Sequence, residues 1–411
     1  MQIFIFFSIL ITLAALFGYL NVRLLKMPSG ILFILMGTVI AVALVIAGHF
    51  FPSLTQLIKQ RLSAIDFSEF LLGILLSFLL FAGSFHLNLT QMRASAKSIT
   101  VFATVGVLIS TFMIGSIAFY LLNLFSIDMP YINCLLFGSL ISPTDPVAVL
   151  SILRGSKVPG SIRIKIEGES LFNDGIGIVV FITIVQAATT GVENLNFSSV
   201  LWLFLREAVG GIIAGAVIGY IGFRLMKSID YFQTEILITL AMVMGGYSLC
   251  HFLHVSGPLA MVMAGLITGN KSRHEAMSDI TKDYIEKFWE ITDEILNAIL
   301  FILIGLQLVI ISFRFNFLII GLILAILLML VRFVSLWLPA TFFFLKKDLE
   351  DKTLEIMTWG GLRGGISIAL ALSLPEAMYK DIFVPVTFII VLFSIMVQGF
   401  SIKWFVKKVT K

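Results

Sequence analysis

The sequence predicts an all-α polytopic membrane protein of about thirteen transmembrane helices, arranged as two inverted six-helix repeats with broken, crossing helices near 142–149 and 359–367. Three observations carry this reading. The 411-residue chain is 59% hydrophobic and only 13% charged, against about 25% charged residues in soluble domains. Apolar runs long enough to span a bilayer recur along its whole length. The Lys and Arg residues fall between those runs in a regular alternation.

The runs lie near 2–21, 30–51, 69–86, 99–123, 130–152, 167–190, 198–225, 233–253, 256–269, 288–312, 316–345, 353–374 and 382–405. The run at 256–269 is short, and 52–68 reads as a loop or a short surface helix. No positive charge precedes the first run, since the first basic residue of the chain is Arg23, and no small-residue cleavage site follows it. It therefore reads as a retained helix rather than a signal peptide. No hydrophilic block is long enough for a soluble domain. Residues 1–411 are expected to form one transmembrane domain, with repeat 1 at about 1–190, a connector helix at about 198–225 and repeat 2 at about 233–405. Only VKKVTK (406–411) follows the last span, so no soluble regulatory tail is expected.

Basic residues set the orientation. With the N-terminus outside, only Lys59, Arg61, Arg314 and Lys380 lie on the outer side, and Arg206, Arg332 and Arg363 fall within spans. All other Lys and Arg are then inside, which places the C-terminus in the cytoplasm of a cell-membrane protein. The net charge of +4 is thus a topological signal, and no nucleic-acid partner is expected. Cys134 and Cys250 have no metal or redox spacing and read as small core residues. No phosphate-binding GxxxxGK[ST] stretch occurs, so ATP is not implicated.

Two spans are interrupted. The fifth contains SPTDPVAV (142–149), where Pro143 and Pro146 remove backbone donors around Thr144 and Asp145. The twelfth contains WGGLRGGIS (359–367), with four glycines around Leu362 and Arg363. Irregular backbone at membrane depth survives only where protein or a watery cavity satisfies it. The two breaks hold the same position in each half, which points to inverted repeats with a binding site near the midplane. Opposed charges, Asp145 on one break and Arg363 on the other, suit the opposed half-helix dipoles.

The sixth span reads EGESLFNDGIGIVVF from Glu167. Ser170 and Asp174 are i,i+4, as are Glu169 and Asn173, so one side of the helix carries a hydroxyl, an amide and two carboxylates. These are hard oxygen ligands suited to alkali cations, with no His or Cys pair for a transition metal. A carboxylate inside a membrane is costly and marks a functional site by default. Burial penalises its bare charge, so Asp174 is expected to hold either a proton or a cation. That competition, combined with alternating access, is an exchange cycle. Glu167 suits a cytoplasmic entrance or a helix N-terminus. Glu290, Asp293 and Glu294 open the tenth span, where acids complement the helix dipole or form a cation-attracting funnel. Asn297, one turn farther in, is a candidate cap or pathway residue.

Taken together, SPTDPVAVL (142–150), EGESLFNDGIGIVVF (167–181), MAGLITGN (263–270), FWEITDEILNAILFILIGLQL (288–308) and WGGLRGGISIALALSLP (359–375) resemble the monovalent cation/proton antiporter family, in its bacterial Na+/H+ exchanger type with an Asn-Asp pair. The resemblance implies a homodimer in which a core domain moves against a dimerisation domain, with no cofactor. It implies that Asp174 is the exchanging carboxylate and that Asn173 marks the electroneutral, 1:1 branch. It further implies Na+ or Li+ bound by Asp174, Ser170, Thr144 and Asp145, Thr144 through its main-chain carbonyl, and a structural ion pair between Glu169 and Arg363. Some relatives carry a glutamate on the third span where this chain has Ala82, so it lacks a carboxylate at that position. His86, nearby, reads as an interfacial structural residue or a titrating one. Arg206 and Glu207 read as a local pair, and Arg332 as compensation for an unidentified core acid. K+/H+ exchange on the same scaffold is the alternative reading. An intramembrane aspartyl protease would need GxGD and YD motifs that are missing, and a channel suits paired helix breaks less well than an occluding site does.

Overall fold

The computed structural model describes residues 2–50, 70–145, 149, 158–190, 197–272, 277–309, 311, 314–345 and 349–409. The expected surface segment at 52–68 and Pro146–Ala148 of the first break lie outside these residues. Among the described residues every regular element is helical. The main helices in chain order, leaving aside the short helix Leu89–Ala94, are α1 (Gln2–Leu20), α2 (Ser29–Phe50), α3 (Phe70–His86), α4 (Ala96–Leu124), α5 (Tyr131–Ile141), α6 (Gly160–Thr190) and α7 (Phe197–Met226). Then follow α8 (Phe232–Phe252), α9 (Gly257–Ile267), α10 (Asp279–Leu306), α11 (Phe315–Phe342), α12 (Thr353–Trp359), α13 (Gly365–Ser373) and α14 (Lys380–Val409). Among the described residues, nine helices are long and apolar enough to cross a membrane: α1, α2, α4, α6, α7, α8, α10, α11 and α14. Helices α3 and α5 are shorter apolar helices. Helix α9 has 11 residues and continues as a π-helical turn, Thr268–Ser272. Helices α12 and α13 are two halves of one interrupted span, the broken stretch narrowing to 360–364.

Lipid tails are as apolar as Leu, so apolarity alone cannot hold membrane helices together; close packing over small residues does. The helix pairs here follow that rule. Helix α2 meets α10 at Gly37 and Gly305, where a Cβ on Gly305 would lie 2.5 Å from the Gly37 carbonyl carbon. Helix α9 meets α3 at Gly265 and Gly269, whose Cβ atoms would lie 2.6 and 2.0 Å from the carbonyl oxygens of Phe81 and Phe85. Around these notches sit buried aromatic and branched side chains, among them Trp289 against Phe81, with ring centroids 4.7 Å apart. Helix α7 packs one face on α9 and leaves Trp202, Val209, Ile213, Val217 and Tyr220 exposed on the other.

The notches give a stability test. Gly305→Ala would press a methyl group into main-chain atoms that cannot swing aside, and overpacking of this kind costs roughly 1–3 kcal/mol. Gly245 in α8 has open space at its Cβ position. The expected outcome in detergent is a lower melting temperature for Gly305→Ala and an unchanged or slightly higher one for Gly245→Ala, read by thermal unfolding monitored through size-exclusion chromatography.

Candidate ion-binding site

The chain leaves α5 at Ser142, and Pro143 cannot continue the helix. The first break then crosses the second: the Asp145 backbone N–H donates to the Leu362 carbonyl at 2.8 Å. Two of the glycines make this crossing possible. A Cβ on Gly364 would lie 2.2 Å from Asp145 Oδ2, and one on Gly361 would lie 2.7 Å from Arg332 Nε. The backbone thus comes close enough for a carboxylate on one side and a guanidinium on the other.

Arg363 sits between the two segments, and its Nη1 donates to the carbonyl oxygens of Ser142 and Pro143. These are orphan acceptors at the C-terminal, negative end of α5, where a cation is favourable. Its backbone N–H donates to Ser394 Oγ at 3.0 Å. Arg363 is therefore committed to the break itself. Glu169 is instead held by Arg332 of α11, Nη1 to Oε1 at 2.9 Å and Nη2 to Oε2 at 2.6 Å. Both partners are buried. This corrects the expected Glu169–Arg363 pair. The guanidinium fork of Arg332 meets both carboxylate oxygens at once, while Nη1 of Arg363 donates to main-chain carbonyls. The sequence supplied the right acid and both arginines. It could not supply the rotation of α11 about its axis, which turns Arg332 inward.

Helix α6 presents the remaining groups. Asn173 Nδ2 donates to Thr144 Oγ1 at 2.8 Å and to Glu169 Oε1 at 2.7 Å, and Asn173 Oδ1 accepts from the Thr144 N–H at 3.3 Å. The amide is fully used as a staple between α6 and the first break. Thr144 Oγ1 also lies 3.1 Å from Ser170 Oγ. Asp174 differs: it is 4% exposed, and its Oδ1 is buried with no hydrogen-bond partner among the described residues.

A cavity of about 500 Å³ opens onto this position. Asp145, Glu167 and Asp174 line it, together with Glu286, Glu290, Asp293, Glu294 and Asn297 of α10. Arg163 and His86 are also in the lining. Such an excess of acid in a low-dielectric cleft attracts and concentrates cations. The sequence-derived candidates thus divide by position. Asp145, Asp174, Glu294 and Asn297 face the cavity, whereas Thr144, Ser170, Asn173, Glu169 and Arg363 form the hydrogen-bonded frame behind it. Ala82 is fully buried and offers no oxygen. Glu286 joins the lining without having been singled out, because nothing in its local sequence separates it from a solvated acid at a helix start.

The frame makes a non-additive stability prediction. Removing one partner of a buried bridge leaves an uncompensated charge and costs roughly 3–5 kcal/mol, while replacing both is far milder. Arg332→Met alone is expected to abolish well-folded protein, and Glu169→Gln with Arg332→Met to restore a monodisperse, thermally cooperative sample, checked by yield and melting temperature.

Comparison with known proteins places this geometry in context. Residues 11–408 match the model of the family described as sodium/hydrogen exchanger, transmembrane. The chain is 44% identical over 407 residues to the Na+/H+ antiporter NhaP of Pseudomonas aeruginosa, covering 97% of this chain and 95% of that one. It is 32% identical to the Na+/H+ antiporter NhaH of Halobacillus dabanensis, covering 98% of each. Its fold is similar to that of the solved sodium proton antiporter MjNhaP1 of Methanocaldococcus jannaschii, with a TM-score of 0.78 over 100% of this chain and 99% of that one at 21% identity. With a family match across nearly its whole length and relatives of this similarity, the chain belongs to the transmembrane sodium/hydrogen exchanger family.

Proposed function

We propose that the protein is a secondary antiporter, not an enzyme, that exchanges Na+ or Li+ for H+ one for one by alternating access, with Asp174 binding cation and proton in competition. The observation that carries this reading is the Oδ1 of Asp174, without a hydrogen-bond partner among the described residues, in the lining of an acid-rich cavity. The charges at the crossing support it. Arg332 is paired with Glu169 and Arg363 donates to main-chain carbonyls of the first break, so neither guanidinium is seen bonded to Asp174. Glu169 is neutralised by its bridge and Asp145 adjoins the Arg363 crossing. Asp174 is the group that requires a mobile partner, and a single Na+ or a single proton meets that need equally. Asp145, Ser170 and Thr144 supply further oxygens beside it. The exchange is then electroneutral, because the site carries the same charge in both directions.

The same-position breaks support an inverted-repeat architecture, with 1–190 and 233–405 as the halves and α7 as the connector. Helix pairing agrees with it: α2 on α10 and α9 on α3 are equivalent contacts if the second half repeats the first seven spans later. The basic residues support an outside N-terminus and a cytoplasmic C-terminus. In that orientation the N-terminal ends of α6 and α10 are cytoplasmic, and so is the mouth of the cavity. The homodimer rests on the family resemblance alone, because the exposed apolar face of α7 suits lipid as well as a partner.

Reconstitution into liposomes with an acid-inside gradient and a pH dye tests the exchange. Na+ and Li+ are expected to dissipate the gradient at a rate unaffected by clamping the voltage at zero, and Asp174→Asn to abolish the response. Dissipation by K+ alone would replace the substrate, and normal exchange by the variant would remove Asp174 from the role. The mouth has its own signature. Glu290→Gln and Glu294→Gln together are expected to raise the apparent KM for Na+ several-fold at low ionic strength with kcat unchanged, and the effect should fade at high salt as screening shortens the reach of surface charge.

A further inference from the structure

A second cavity, separate from the acid-lined one, lies between α11, α14 and the second break. It holds about 10 Å³ of space, room for a single water. Its polar lining is Arg332, Arg363, Ser394 and Gln398, each at most 6% exposed. Ala325, Leu328, Ile390 and their neighbours close it with apolar side chains. Ser394 and Gln398 are i,i+4 in an otherwise apolar stretch of α14, VLFSIMVQGF. Both lie on a π-helical turn, Ser394–Gly399, a distortion that recurs at functional sites.

The lining combines a spare donor with spare acceptors. Both Nη groups of Arg332 are used on Glu169, while its Nε is buried and has no hydrogen-bond partner among the described residues. A buried N–H in that condition is costly unless something meets it. The nitrogen lies against Gly361, also in the lining, where a Cβ would come within 2.7 Å of it. Space beside this donor therefore depends on residue 361 having no side chain. Ser394 Oγ accepts the Arg363 backbone N–H at 3.0 Å and donates to Gln398 Oε1 at 2.6 Å. A hydroxyl oxygen and an amide oxygen have two lone pairs each, so each keeps one for a further donor.

We propose that this cavity is a site for one structural water, which accepts from Arg332 Nε–H and donates to the remaining lone pairs of Ser394 Oγ and Gln398 Oε1. The lining calls for an occupant that both accepts and donates. A halide ion would meet the Nε–H but would set its charge against two oxygen lone pairs, and Glu169 already offsets the charge of Arg332. A water meets all three partners, the usual number for a buried one. It joins α11 to α14 across the second break and leaves the Arg332 guanidinium with every nitrogen engaged. Gln398 is then a positioning residue: it acts through the water on Arg332, and through Arg332 on the bridge to Glu169.

A high-resolution density map of the wild-type protein tests the site without any substitution. The expected result is a single peak within hydrogen-bond distance of Arg332 Nε and of the Ser394–Gln398 pair. No peak there, in a map that shows other buried waters, would overturn the site. Crystals grown in bromide would give anomalous scattering at that position if a halide were the occupant, which would also overturn it. A double-mutant cycle tests the link to Arg332. Gln398→Leu is expected to lower the melting temperature by several degrees in the wild type. In the Glu169→Gln, Arg332→Met background, where the donor is gone, it is expected to have little effect. An equal fall in both backgrounds would make Gln398 a packing residue and overturn its positioning role. The map decides the site whether or not these variants fold. Failure here leaves exchange at Asp174 untouched, since no transported ion enters this cavity.

Discussion

Arg332 and Glu169 neutralise each other through a two-pronged bridge behind the crossing of two broken helices, and the arrangement around Asp174 depends on it. Two ions taken out of water repay the cost of desolvation only when geometry is good and the remaining bonding capacity is met. Glu169 meets that condition through the guanidinium fork and the Asn173 amide. Asn173 in turn fixes Thr144 at both its N–H and its hydroxyl. One bridge therefore positions α6, α11 and the first break together. With those two charges cancelled, Asp174 Oδ1 is left without a hydrogen-bond partner among the described residues, which is the feature the proposed exchange uses.

The crossing is equally constrained by backbone. Broken helices expose carbonyls and N–H groups that the membrane interior cannot satisfy. Here Asp145 and Leu362 share one bond across the breaks, and Arg363 takes the carbonyls of Ser142 and Pro143. An arginine suits this task because a single Nη reaches both acceptors and the group stays charged. The neighbouring glycines are required by distance, since Gly364 lies under the Asp145 carboxylate and Gly361 under Arg332.

Much of this was legible in the sequence, because membrane segments declare themselves through length and apolarity. The all-helical class, both breaks and the acidic face of α6 follow from local residue types. The proline pair marks one break and the glycine cluster the other, and neither needs knowledge of the partner. Side-chain partners were harder. Glu169 could be matched to a buried arginine, but the choice between Arg332 and Arg363 depends on helix rotation, which an almost uniformly apolar helix does not encode. The amide of Asn173 read as an ion ligand because its type allows it; its hydrogen bonds show it committed to the frame. Glu286 and Glu235 look alike in sequence, each an acid near a helix start, yet one lines a cavity and the other is sealed inside a bundle.

The central claim is that one carboxylate serves two ligands in turn. It is tested most directly by measuring proton release when Na+ binds to purified protein in weakly buffered solution, since a cation that displaces a proton from its own ligand must liberate it. The account predicts release that approaches one proton per bound Na+ below the pH at which the site deprotonates unaided. It also predicts that the release at Asp174 disappears in Asp174→Asn. Sodium binding at Asp174 with no proton released at any pH would contradict it.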